Sequence, residues 1–402
     1  MKYRLILTIF VLSFFLGTSG AEAATKAAVK KAVPPKLEVS GWIPYWRKAT
    51  GTAEALAHLS AFTELNPFGY TVKNDGTLAD TAKMDEEPWP TLIAAAKKKK
   101  IRVIPTVMWS NTEAIHRILS NQKTRIALED EIAALVKEKG FDGIDIDFEG
   151  KKAETKNYFS TFLKGLYMRM GKKWVMCTIE ARTPLSSRYD TIPKDIRYAN
   201  DFVAINKYCD RVRFMTYDQG TIDIVLNRAR MAPYIPVADP AWVEKSIELA
   251  AKTIPKNKIA IGIATYGYEY KVTKLSEYGY RYDLEWAFNP KYALDLAASL
   301  GITPQRNGAN EISFMYQPTV KPSSLNSDGS PAIPEGESVA PTSTVAENIP
   351  SSNISGPVNI VWWSDAKAIK DKVDLAKKLG VRGVAIFKID GGADPGMWEV
   401  LK

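Results

Sequence analysis

Phe141-Asp142-Gly143-Ile144-Asp145-Ile146-Asp147-Phe148-Glu149 is the stretch on which the reading of this chain turns. Side chains alternate along an extended strand, so Asp145, Asp147 and Glu149 share one face, about 7 Å apart per pair. Ile144, Ile146 and Phe148 take the other face. A half-exposed strand with its acids in water also alternates this way. The neighbouring apolar runs argue against it: several are rich in Ile and Val without alternation, as in parallel strands covered on both faces. Acids that face an enclosed interior are costly unless paired, hydrogen-bonded or protonated. Their mutual repulsion is expected to raise at least one pKa. Glu149 lies at the C-terminal end of the strand, where parallel barrels carry their chemistry. A carboxyl that keeps its proton there suits general-acid work on a leaving-group oxygen. Three carboxylates can also hold a hard cation, but a straight strand spreads them too far to converge on one ion. No metal and no cofactor is therefore expected.

Working outward, short apolar runs alternate with longer amphipathic ones. Strands are expected at Val39–Tyr45, Ala61–Tyr70, Arg102–Met108, Gly143–Phe148, Trp174–Glu180, Val212–Thr216, Ile259–Ala264 and Gly383–Ile389. Helical patterns fall between many of them, among them Trp89–Lys100, Thr124–Lys139, Ala153–Met170, Ala241–Thr253 and Lys367–Leu379. Repeated strand–helix units predict an α/β fold with a parallel sheet, and eight strands predict a (β/α)8 TIM barrel. No Gly-x-Gly-x-x-Gly or P-loop follows the first strand, which speaks against nucleotide binding. The stretch 269–360 breaks the rhythm and reads as a small α+β insertion before the last strand. Within it, 318–357 is dense in Pro, Ser, Gly, Asn and Thr and is expected to be a disordered loop. The folded unit is expected to run from 37 to 402.

The composition is that of a globular protein: 46% hydrophobic and 25% charged residues, with a net charge of +9. Two His and two Cys leave no material for a multi-His or four-Cys zinc site. Lys2 and Arg4, the apolar run Leu5–Leu16 and Ala21-Glu22-Ala23 read as a signal peptide over 1–23, cut after Ala23. Residues 24–36, rich in Ala, Lys and Pro, read as a flexible leader. The expected location is secreted, periplasmic or envelope-associated, with no stable membrane insertion after cleavage. The basic charge suits anionic polymers such as cell-wall glycans. Nucleic acid is not expected, because Lys97–Lys100 ends an amphipathic helix, where lysines complement the helix dipole. Cys177 and Cys209 are open to two readings, a disulfide or buried thiols.

Asp142-x-x-Asp145-x-Asp147-x-Glu149 resembles the D-x-x-D-x-D-x-E signature of glycoside hydrolase family 18, the chitinase-like family. Met215-Thr216-Tyr217-Asp218 resembles that family's M-x-Y-D segment. Gly41–Trp46 is similar to its first strand, Asn66-Pro67-Phe68 with Asp75-Gly76 to its second strand and turn, and Lys367–Asp390 to its last helix and strand. The likeness is greatest to the branch of cell-wall and spore-cortex-lytic glucosaminidases. It implies cleavage of β-1,4 bonds next to N-acetylglucosamine, with retention, the substrate's own N-acetyl oxygen serving as nucleophile in place of a second carboxylate. By this resemblance Glu149 is the general acid/base and Asp147 orients the acetamido group. Asp145 shares a proton with Asp147, and Tyr217 hydrogen-bonds the acetamido oxygen. Asp218 and Met215 contact substrate, and Asp142 is structural. The partner implied is an N-acetylglucosamine-containing polysaccharide, chitin or peptidoglycan.

Two departures from the family pattern bear on substrate choice. Phe387 stands where the family usually has a Trp as the floor beneath the sugar, and Trp109-Ser110 follows the third strand without an S-x-G-G motif. Trp46, Trp109, Tyr266, Tyr268 and Trp362 are candidates for stacking on sugar rings, with core packing the alternative for each. A hydrolase for another N-acetylated glycan is one alternative. A non-catalytic, lectin-like protein on the same barrel is another, and such relatives typically lack the acid that Glu149 supplies.

Overall fold

The computed structural model describes residues 36–230, 233–276, 279–317 and 358–402. The expected signal peptide, all but the last residue of the leader and the loop 318–357 lie outside these residues.

From the N-terminus the chain forms strands β1 (Glu38–Pro44), β2 (Glu64–Val72), β3 (Leu78–Asp80), β4 (Arg102–Val103), β5 (Thr106–Trp109), β6 (Gly143–Phe148), β7 (Trp174–Glu180), β8 (Arg211–Met215) and β9 (Ile259–Ala264). Strands β10 (Gly267–Lys274), β11 (Tyr280–Phe288), β12 (Gln305–Arg306), β13 (Ile312–Tyr316), β14 (Val358–Trp363) and β15 (Gly383–Phe387) follow. Eight parallel strands close into a barrel in the order β1, β2, β5, β6, β7, β8, β9, β15, with β15 pairing back to β1. This is the (β/α)8 architecture read from the sequence.

The third barrel strand departs from its expected span. It is broken into β4 and β5 at Ile104-Pro105. Proline has no amide hydrogen to give to a ladder, and only the carbonyl of Pro105 is used, by the amide of Asp145 at 2.9 Å.

The main helices bury one face on the sheet and carry their own stop signals. Asn121 caps the helix Gln122–Lys139 by accepting from the amides of Lys123 and Thr124, and Gly140 ends it at φ +64°. Asp239 and Asp365 cap Pro240–Ala251 and Ala366–Leu379 in the same way.

Between β9 and the last helix the chain leaves the barrel. Strands β11, β10, β14, β13 and β12 form an antiparallel sheet. The helix Pro290–Ser299 shares a separate small core with it, built from Phe288, Tyr292, Leu296, Phe314 and Trp363. One buried acid ties this sheet to the barrel. Glu311 accepts from the amides of Val237 and Ala238 (2.9 and 3.0 Å) and from Trp362 Nε1 (2.7 Å), and it pairs with Lys372 at 3.2 Å.

Of the two readings left open for the cysteines, the structure has the bonded one. Cys177 on β7 and Cys209 just before β8 form a disulfide across a sequence separation of 32, with Cα atoms 5.9 Å apart.

Candidate active site

The ladder on β6 is assembled by register. Thr106 on β5 lies beside Asp145 and Met108 beside Asp147. Asp145 is the deepest rung and is saturated with partners. Trp42 Nε1 (3.1 Å) and Thr106 Oγ1 (2.9 Å) donate to Oδ2, Thr178 Oγ1 donates at 2.9 Å to Oδ1, and Arg213 Nη1 stands 2.7 Å from Oδ1. Arg213 Nη1 makes no well-aligned hydrogen bond, so this contact acts as a charge pair. Arg213 also pairs with the buried Glu64, which binds Arg102 in turn. Burial pushes the Asp145 carboxyl up to about 6, against the pull of the hydrogen bonds from Trp42, Thr106 and Thr178.

Asp147, one step higher, is treated differently. It is buried, and its Oδ1 has no hydrogen-bond partner. Burial, reinforced by the charges of Glu149 and Asp145, holds its pKa well above the usual carboxylate range. Asp147 is hydrogen-bonded to Glu149, the next rung up. Glu149 follows the last residue of β6 and is only half-buried, so it reaches the mouth of the barrel. Its pKa is raised by burial and by the neighbouring Glu180 carboxylate, with Asp147 and Lys151 pulling the other way.

Glu180 and Lys151 were not singled out in the sequence. The β6–β7 register pairs Ile146 with Cys177, which brings Glu180 level with Glu149 at the strand ends. Glu180 accepts from Asn200 Nδ2 (2.7 Å) and from the amide of Gly150 (3.1 Å). The Lys151 amine is buried 3.8 Å from Glu180, donates to the carbonyl of Phe148 and lies 4.8 Å from the centre of the Phe159 ring. Burial lowers its pKa. Arg213 and Trp42 were likewise missed as partners of the ladder. The available signal was parity: Arg213 is in step with Met215 and Tyr217 on an inward face, where an arginine has to have a partner.

The remaining candidates divide into two groups. Tyr217 is buried beside the ladder, stacked on Phe387 with ring centres 5.7 Å apart. Gly262 on β9 makes room for it, since a Cβ there would stand 2.9 Å from Tyr217 Cε1. Asp218, at φ +57°, accepts from the hydroxyls of Tyr266 (2.6 Å) and Tyr268 (2.7 Å). Phe387 also meets Trp42, Phe68 and Tyr266, which makes it the centre of an aromatic floor. Met215 is half-buried at the end of β8, and Trp46 is 51% exposed just past β1.

Two of the aromatic candidates fall outside this group. Trp109 alternates to the outer side of β5, is 1% exposed and packs on Phe148. Trp362 is buried with its indole N–H on Glu311. Both are core residues, not sugar platforms. Asp142 is structural in the geometry: its Oδ2 accepts from the amide of Val103 at 2.8 Å, joining β4 to the start of β6.

Comparison with known proteins adds the family. The model of the glycosyl hydrolases family 18 matches residues 40–392. The chain belongs to this family. It is a glycoside hydrolase. It is similar to the uncharacterized glycosylase YvbX of Bacillus subtilis, at 24% identity over 316 residues, 76% of each chain. It also resembles the cortical fragment-lytic enzyme of B. subtilis, at 24% identity over 348 residues, covering 84% of this chain and 67% of the relative. Among solved structures, the Bacillus megaterium spore cortex-lytic enzyme SleL has a TM-score of 0.63 at 22% identity, over 91% of this chain and 74% of that one. A chitinase from Chromobacterium violaceum has a TM-score of 0.66 at 18% identity, over 91% and 98%. At the barrel mouth the arrangement sets the half-buried Glu149 above the buried Asp147, both carboxyls with raised pKa, beside the aromatic cluster around Phe387.

Proposed function

We propose that this glycosidase is exported and cleaves β-1,4 bonds next to N-acetylglucosamine, in peptidoglycan or chitin, with retention and by substrate-assisted catalysis. The observation that carries the reading is the Asp147–Glu149 pair: two carboxyls in hydrogen-bond contact, both with raised affinity for protons, one buried with an unpaired oxygen and the other at the cleft mouth. Glu149 gives its proton to the glycosidic oxygen as the bond to the anomeric carbon breaks. The acetamido oxygen of the same sugar closes on that carbon, and Asp147 holds the acetamido N–H. Tyr217 steadies the acetamido oxygen. Glu149 then takes a proton from the water that opens the ring. Asp145, held by Arg213, shares a proton with Asp147 and tunes it.

Export rests on the signal-peptide pattern and is supported by the disulfide, a bond favoured in oxidising compartments. The names of the relatives, cortical fragment-lytic enzyme on one side and chitinase on the other, keep both polymers in view.

The test is incubation of the chain with chito-oligosaccharides and with purified peptidoglycan. Products are read by mass and by the anomeric signal of the first-formed end. New reducing ends in the β configuration are expected. Bound oligosaccharide with no new ends establishes the lectin-like alternative, and an α-anomer overturns retention.

A further inference from the structure

The end of the barrel opposite Glu149 has a chemistry that hydrolysis does not use. All barrel strands are parallel, so the connections that precede β4, β6, β7, β8, β9 and β15 gather at one end. They bring together Lys97–Lys100, Lys137, Lys172, Lys207, Lys252 and Lys256. All of these are exposed, and none is in an ion pair among the described residues. The acids nearby are largely committed. Glu38 is held by Arg102, Arg211 and Arg382, which keep its carboxyl down at about 2 despite its partial burial. Asp142 and Asp210 accept backbone amides. Glu138 and Glu248 are the exposed acids in these connections and the helix turns that lead into them.

Complementing a helix dipole explains only part of this. The effect is confined to the last turn. Lys97 and Lys98 end the helix Trp89–Lys98, whereas Lys99 and Lys100 lie beyond it. Four consecutive lysines repel one another, and an external polyanion relieves that repulsion.

We propose that this end of the barrel is a docking surface for a flexible phosphodiester polyanion of the cell envelope. The choice of an envelope polymer rests on the function proposed above; the surface itself does not. Three features select the partner. The unpaired cations are lysines, hydrated point charges that attract phosphate without the fork geometry of arginine. They sit on five separate connections around a barrel end, not along a groove, which suits a chain that drapes. Among the described residues, Met168 is the single large apolar side chain exposed at this end, too little to wedge into a bilayer. Docked this way, the enzyme keeps its cleft turned outward and its effective concentration at the glycan high.

The test measures binding of the full chain to lipid-free poly(glycerol phosphate) across a salt series. One variant carries K97Q, K98Q, K99Q and K100Q. A control of equal net charge carries K271Q, K291Q, K367Q and K370Q, all exposed and away from this end. The first variant is expected to bind at least tenfold more weakly, with a log–log salt slope shallower by roughly three, at about 0.7 per charge removed for a single-stranded polyanion. The control is expected to bind like the unaltered chain, and both variants are expected to hydrolyse a soluble oligosaccharide at its rate. Equal weakening in both variants reduces the effect to net charge and overturns the proposal. So does tighter binding of the unaltered chain to phosphatidylglycerol vesicles or duplex DNA than to the polymer. Absence of hydrolysis in the unaltered chain removes the proposed function and leaves the binding result standing.

Discussion

Two regions of this molecule bury carboxylates, and they treat them in opposite ways. In the sheet outside the barrel, Glu311 has a lysine, an indole and two amides. Glu269 has Tyr316 (2.5 Å), Tyr292 (2.8 Å), Trp286 (3.0 Å) and Asn359 (2.6 Å). At the barrel mouth Asp147 is as deeply buried but keeps an oxygen without a partner, and Glu149 is crowded by Glu180. A buried acid whose lone pairs are filled is a fastener; one left short of donors is held ready for a ligand. The same contrast runs down the ladder itself, from the saturated Asp145 to the under-supplied Asp147.

The largest expected effect breaks the comparison at the mouth. Glu149→Gln keeps size and polarity but has no proton to give, and turnover should fall by roughly 10²–10⁴. Thermal unfolding should be unchanged; a loss of folding instead would make Glu149 a fastener after all. Asp147→Asn should cost about 10²–10³ in kcat, the scale of losing one charge-stabilising donor. An unaffected rate would separate Asp147 from the acetamido group.

On the other side, Glu311→Ala strands Lys372 in the interior and should cost about 3–5 kcal/mol of stability, read by denaturant unfolding. Activity per folded molecule should persist at low temperature.

The pH dependence of stability tests both regions at once. Asp145, Asp147, Glu149, Glu269 and Glu311 all have raised pKa values, with burial the largest cause. Between about pH 4 and 6 the native chain therefore holds protons that the unfolded chain has released, so stability rises as pH falls through that window. Glu38 works in the opposite sense: its stabilising contribution is present above the ordinary Glu pKa and is lost as pH falls toward about 2. Melting temperature should peak in mildly acidic buffer.

The smallest effect concerns Lys151. Its charge lowers the pKa of Glu149, so Lys151→Met should move the alkaline limb of the kcat/KM profile upward while leaving the reaction intact. An unmoved limb would assign Lys151 to packing alone.

Much of this was legible in the sequence, for identifiable reasons. The barrel strands are short runs of Ile and Val because both faces are covered, and that leaves a mark in any one of them. The ladder is legible because alternation is a local property. Its partners are not local. Arg213 lies 68 positions from Asp145 along the chain, and only closure of the barrel makes them neighbours. Glu180 becomes a neighbour of Glu149 only once the β6–β7 register is known. Trp109, one of the candidate sugar platforms, is a core residue by simple alternation: Thr106 and Met108 face the ladder, so the next side chain falls on the outer side of the strand.

The disulfide has a consequence for how this enzyme can change. It pins the middle of β7 to the start of β8, and between those points the chain makes its excursion over the barrel mouth through Glu180 and the long segment that follows. Closing a loop of this length is worth about 4 kcal/mol by chain entropy alone. Such a cross-link works as a hem: the cloth between the stitches can be recut, by drift or by an engineer, while the seam keeps Glu180 in its place beside the acid.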